Sequence, residues 1–74
     1  MLTKSRIQTT LTNNGMRLIQ NRKTLVTVNF ATLNVAEKNA KKYSELLGQP
    51  VTVIPHIHNG ETLWYNLSVK EYIG

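Results

Sequence analysis

The chain has no cysteine, so no disulfide can staple it and no cysteine-based zinc site can form. Such a composition is compatible with a reducing compartment. No apolar run approaches the ~20 residues of a membrane span, and residues 1–11 hold no apolar segment of the kind that directs export. The expectation is a cytoplasmic domain with no membrane partner. No aromatic residue precedes Phe30, which argues against a base-stacking platform in that part of the chain. The most informative absence is of acid: the first 23 residues contain neither Asp nor Glu.

What those residues do contain is Lys4, Arg6, Arg17, Arg22 and Lys23. Residues 24–74 set Lys38, Lys41, Lys42 and Lys70 against Glu37, Glu45, Glu61 and Glu71, so the formal net charge of +5 belongs entirely to the N-terminal segment. A basic arm on a neutral body suggests a polyanionic or acidic partner. The length of 74 residues makes one domain. Such a domain buries only about 60% of its unfolded surface, so its core is thin. The hydrophobic content of 41% suits a globular fold. A small core without staples often gains stability from a partner or from homo-oligomerisation.

The clearest element is a helix over 35–47. Asn34 is placed to cap it, with Glu37 three residues later. Ala36, Ala40, Tyr43 and Leu47 recur at helical spacing, and Leu46 widens the stripe. Gly48 supplies a left-handed stop and Pro50 prevents continuation. Residues 25–30 read as a strand with Val26, Val28 and Phe30 on one face. Residues 51–57 and 63–69 read as a hairpin around Asn59-Gly60. A three-residue loop, His58-Asn59-Gly60, pairs Ile57 with Glu61 and gathers Val51, Val53, Ile57, Leu63, Tyr65, Leu67 and Val69 on one face. That register sets Trp64 opposite Ile54 on the other face.

The N-terminal segment admits two readings. Ile7, Thr9 and Leu11 alternate as in a strand, and the threonines favour that state. Asn14-Gly15 then becomes a hairpin turn. Ile7 and Leu11 also stand at i and i+4, with Gly15 as a helix stop. The strand is the preferred reading, and the helix stays open. The expected fold class is α+β: a small antiparallel sheet, β-β-β-α-β-β, with one amphipathic helix on one face, the first element being helical in the other reading. Residues 70–74 are expected to fray.

Four features bear on function. A basic N-terminal ribbon of Lys4, Arg6, Arg17, Arg22 and Lys23 suits nucleic acid or an acidic protein surface. Lys38, Lys41 and Lys42 form a second basic face, which is also the ordinary wet side of an amphipathic helix. His56 and His58, two apart on a strand, could reach one metal with Glu61. Two histidines at a hairpin tip are poor grounds, and no metal or cofactor is expected. His56 also lacks any visible nucleophile or orienting acid, so no enzyme is expected. Ile54, His56 and Trp64 form a patch suited to a protein interface.

The run Val26-Thr27-Val28-Asn29-Phe30, then Ala36, Ala40 and Gly48, then a strand and Asn59-Gly60, resembles half of a SPOR peptidoglycan-binding domain. The second repeat of that fold is missing, so no activity is carried over. The length, the lack of cysteine and the helix-on-sheet layout resemble small phage-encoded inhibitors of the anti-CRISPR kind. The expected function is a non-catalytic basic module that docks on nucleic acid or a nucleic-acid-handling complex. The alternative is a phage-type accessory protein acting on a host protein machine.

Overall fold

The computed structural model describes residues 1–21, 24–27 and 29–73, with the side chains of all of these except Gln20 and Asn21. The order of elements is α1 (Lys4–Asn13), β1 (Leu18–Asn21), β2 (Thr24–Thr27), α2 (Leu33–Leu47), β3 (Thr52–His58) and β4 (Glu61–Val69). The fold is α+β. Its four strands form one antiparallel sheet in the order β1-β2-β4-β3.

The N-terminal segment takes the helical alternative and not the strand. Thr3 caps α1, its hydroxyl accepting the Arg6 N–H at 3.2 Å. Ile7 and Leu11 form the buried stripe, while Ser5, Thr9 and Thr12 face water. The other end explains why Asn14-Gly15 is no hairpin turn. Gly15 N–H donates to the Thr12 carbonyl and Met16 N–H to the Leu11 carbonyl, with Gly15 at φ +82. This is a Schellman stop, and it folds Met16 back onto the core.

The second helix buries Ala36, Ala40, Tyr43 and Leu47 and ends at Gly48 in the left-handed region, as its spacing predicts. Its cap is Thr32 rather than Asn34, the Thr32 hydroxyl accepting the Val35 N–H. Leu46 does not widen the stripe; it is exposed. Both helices contribute to one core with Leu25, Val51, Leu67 and Val69.

Strand β2 turns the opposite face inward from the one expected. Leu25 and Thr27 are buried, and Val26 lies half-buried on the other side; Val28 falls outside the described residues. Register is the cause. Leu25 pairs with Val69 and Val26 with Ser68, so the alternation that buries Val69 also buries Leu25. Thr27 is tolerated inside because its hydroxyl oxygen accepts the Leu67 N–H at 3.1 Å.

The hairpin also departs from the expected register. His58 pairs with Glu61 across a two-residue loop, with Asn59 at φ +51 and Gly60 at φ +79. Both positive angles belong to the turn type that matches strand twist. A bulge follows: His56 pairs with Trp64 but Ile57 pairs with Thr62, leaving Leu63 as the extra residue. Below the bulge, Val53 faces Leu67 and Pro55 faces Tyr65, on the core side. Ile57 and Leu63, expected in the core, are exposed at the tip.

Two connections complete the frame. Phe30 and Tyr65 exchange backbone hydrogen bonds of 2.7 and 2.9 Å. Those bonds turn Tyr65's polar groups away from β3, so the opposed Pro55 presents its backbone nitrogen to the free edge, where no donor is needed. The C-terminal stretch does not fray through Ile73. The Lys4 N–H donates to the Ile73 carbonyl at 2.9 Å and the Ile73 N–H to the Leu2 carbonyl at 3.0 Å. Gln49 joins the same junction, accepting the Leu2 N–H and donating to the Glu71 carbonyl.

Candidate binding surfaces

The expected basic ribbon is not built as a ribbon, because its first half is α1. Lys4 and Arg6 lie in the first helical turn, which holds no acidic residue. At ~100° per residue they project about 160° apart around the helix. Arg6 is exposed and lines a shallow hollow with Thr3, Ser5, Thr9 and Thr10. Arg17 is exposed on the other flank, beside Gln8, Thr12, Met16 and Leu18. The two hollows share no lining residue, so these cations ring α1 instead of forming a stripe. Arg22 and Lys23 lie outside the described residues.

A cation in the first turn works against the helix dipole by ~0.3–1 kcal/mol. The exposed Arg6 is therefore not explained by the helix dipole of α1. The outward side of α1 carries Ser5, Arg6, Thr9, Thr12 and Asn13. It offers hydroxyls, an amide and a guanidinium, with no carboxylate to repel an anion.

Lys38, Lys41 and Lys42 are all exposed, on the side of α2 opposite its buried stripe. The Lys42 ammonium lies 5.3 Å from the centre of the Tyr43 ring, so part of its charge is engaged within the fold. Glu37 and Glu45 share this helix, which dilutes its basic character relative to α1.

Ile54, His56 and Trp64 do share the sheet face away from the helices. Trp64 pairs with His56, not Ile54; Ile54 sits opposite Asn66. The His56 and Trp64 rings stack with centroids 4.1 Å apart and planes 1° from parallel. Trp64 is half-buried, and its indole N–H donates to the Asn66 side-chain oxygen at 3.1 Å. The Asn66 amide donates in turn to the Thr27 carbonyl at 2.8 Å and to the Asn29 side-chain oxygen at 2.9 Å. Asn66 thus ties the stack to β2. Sequence reading missed this role, since an Asn in the middle of a strand signals only low strand propensity.

The two histidines are separated in purpose. His56 is committed to Trp64, and His58 pairs with Glu61 at the tip, beyond the bulge. Among the described residues no three potential ligands converge on one point. Among the same residues no helix is long and apolar enough to cross a membrane.

No family model, curated protein or solved structure matches this chain.

Proposed function

We propose that the chain is a non-catalytic binding module whose basic N-terminal segment docks on nucleic acid or on a nucleic-acid-handling complex. The observation that carries this reading is the segregation of charge: five cations and no acid in residues 1–23, against exact neutrality of charge count beyond them. Lys4, Arg6 and Arg17 surround α1 from different sides, so the helix as a whole is the positive pole, and Arg22 and Lys23 follow in sequence. An exposed Arg6 placed where it opposes the helix dipole supports a role for that residue in contact. Lys38, Lys41 and Lys42 would widen the footprint. A cytoplasmic location accompanies this reading.

Fluorescence anisotropy with short single- and double-stranded DNA and RNA tests it. Three neutralised phosphates should weaken binding about 40-fold between 50 and 200 mM salt, and five should weaken it several-hundred-fold. A variant carrying Lys4→Gln, Arg6→Gln and Arg17→Gln should lose most of the affinity and most of the salt slope. No binding at the lower salt, or a triple variant that binds like the parent, overturns the reading.

A second reading keeps the positive pole and changes the partner to an acidic protein surface of a host machine, in the manner of a phage-type inhibitor. The half-buried Trp64 beside exposed Ile54 favours it as an anchor. A folded Trp64→Ala variant that loses its protein partner would support this reading.

A further inference from the structure

Helix α1 is held to the fold from one side only, through the buried Ile7 and Leu11. At ~100° per residue, Ser5, Arg6, Thr9, Thr12 and Asn13 span an arc of about 120° centred opposite that pair, and all five are exposed. Their side chains are uncommitted: none makes a hydrogen bond or ion pair with another described residue. Thr3 and Asn14, at the two ends, do commit theirs to the helix itself. The Thr3 hydroxyl accepts the Arg6 N–H, and the Asn14 amide donates to the Thr10 carbonyl.

Two guanidiniums flank this arc. Arg6 forms one edge, with Thr10 beside it. Arg17 stands at the other, in the hollow it shares with Gln8 and Thr12. No carboxylate lies in this part of the chain. Hydroxyls and an amide set between two cations match a ligand with hydrogen-bonding groups in its middle and negative charge along both sides.

We propose that this face of α1 enters the major groove of duplex DNA, with Arg6 and Arg17 reaching the phosphates of opposite walls; the assignment rests on the nucleic-acid reading above and narrows it. The B-form major groove is about 12 Å wide, and an α-helix with its side chains is about 10–12 Å across. Short side chains bring the backbone of α1 close to the base edges. Ser and Thr hydroxyls pair there with donors or acceptors, and Asn13 suits the N6 and N7 of adenine. The 10 residues of α1 extend about 15 Å, the rise of about four base pairs.

The other occupants fit less well. The major groove of duplex RNA is too deep and narrow for side chains to read. Single strands are held by stacking on aromatic rings, and α1 has none. The minor groove, about 6 Å wide, excludes a helix. An acidic protein surface answers the arginines alone, whereas a groove answers both the arginines and the polar row between them.

Fluorescence anisotropy with probes of one sequence, each about 20 nucleotides long or two turns of duplex, tests the assignment. The probes are duplex DNA, duplex RNA, single-stranded DNA, and duplex DNA whose cytosines carry glucosylated 5-hydroxymethyl groups. That sugar fills the major groove and leaves the phosphates and the minor groove as they were. Duplex DNA should bind most tightly, and the other three more weakly by about tenfold or more. Thr9→Glu puts an anion at the centre of the face and should weaken duplex binding by about tenfold or more. Ile57→Glu makes the same change of net charge at the exposed hairpin tip and should weaken it no more than about twofold. Circular dichroism should show both variants folded, and the glucosylated duplex gives a test that needs neither. Equal binding of single strands or of duplex RNA overturns the major-groove assignment and leaves the nucleic-acid reading standing. So does unchanged affinity for the glucosylated duplex, or a Thr9→Glu variant that binds no more weakly than Ile57→Glu. Binding to none of the probes overturns both.

Discussion

Thr27 is 1% exposed, among aliphatic side chains, and its hydroxyl oxygen accepts a hydrogen bond from the Leu67 backbone. Replacing it with Val keeps the shape and leaves that N–H buried without the acceptor, a loss of about 1–3 kcal/mol. Thr27→Val should therefore lower the melting temperature although it makes the core more apolar. A neutral or stabilised variant would show that Leu67 finds another acceptor. Asn66 works by the same logic on the open face, where one amide holds Trp64, Asn29 and the Thr27 carbonyl in register. Neither residue could be picked from the sequence. Polar residues inside strand patterns score as weak strand formers until their partners are known.

Helix α1 shows where element-level reading succeeds and where it stops. Its core contacts, Ile7 and Leu11, satisfy both a two-residue alternation and a four-residue step, so periodicity could not separate strand from helix. Threonines favour a strand, yet Thr9 and Thr12 are exposed on the helix, where they cost only propensity. The two Asn-Gly pairs added to the ambiguity. Asn14-Gly15 ends a helix with only Gly15 at positive φ, whereas Asn59-Gly60 turns a hairpin with both residues positive. Helix α2 was legible because its four buried residues, its stop glycine and the following proline agree. The hairpin was legible as a hairpin, but the bulge at Leu63 has no sequence mark, and it moves Trp64 from Ile54 to His56. The double substitution Thr9→Ala and Thr12→Ala checks the element directly. It should stabilise the protein by about 1 kcal/mol in a helix, as denaturant midpoints would report, and destabilise it in a strand.

At the scale of the molecule, the cations of the two helices and the bare face of the sheet lie on different sides. The cations of α1 and α2 are carried by the helical layer, while Ile19, Val26, Ile54, His56 and Trp64 lie on the bare side of the sheet. Charge imbalance was plain in the sequence because it needs only counting. The bare face was not, because the expected single helix and the expected inward face of β2 hid which residues would share it.

The junction of Leu2, Thr3 and Lys4 with Ile73, held on its flank by Gln49, has a consequence for connectivity. Thr3 and Ile73 lie side by side in a parallel bridge, about the ~4.8 Å of neighbouring strands apart. A linker of a few glycines could join the two ends of the chain, and new ends could be opened at exposed Asn59-Gly60. Such a circular permutant should retain the helical and sheet signature in circular dichroism, because no buried residue lies at the cut. If it failed to fold, the β3–β4 turn would be needed to start the sheet, and the order of the elements along the chain would matter as much as their final places.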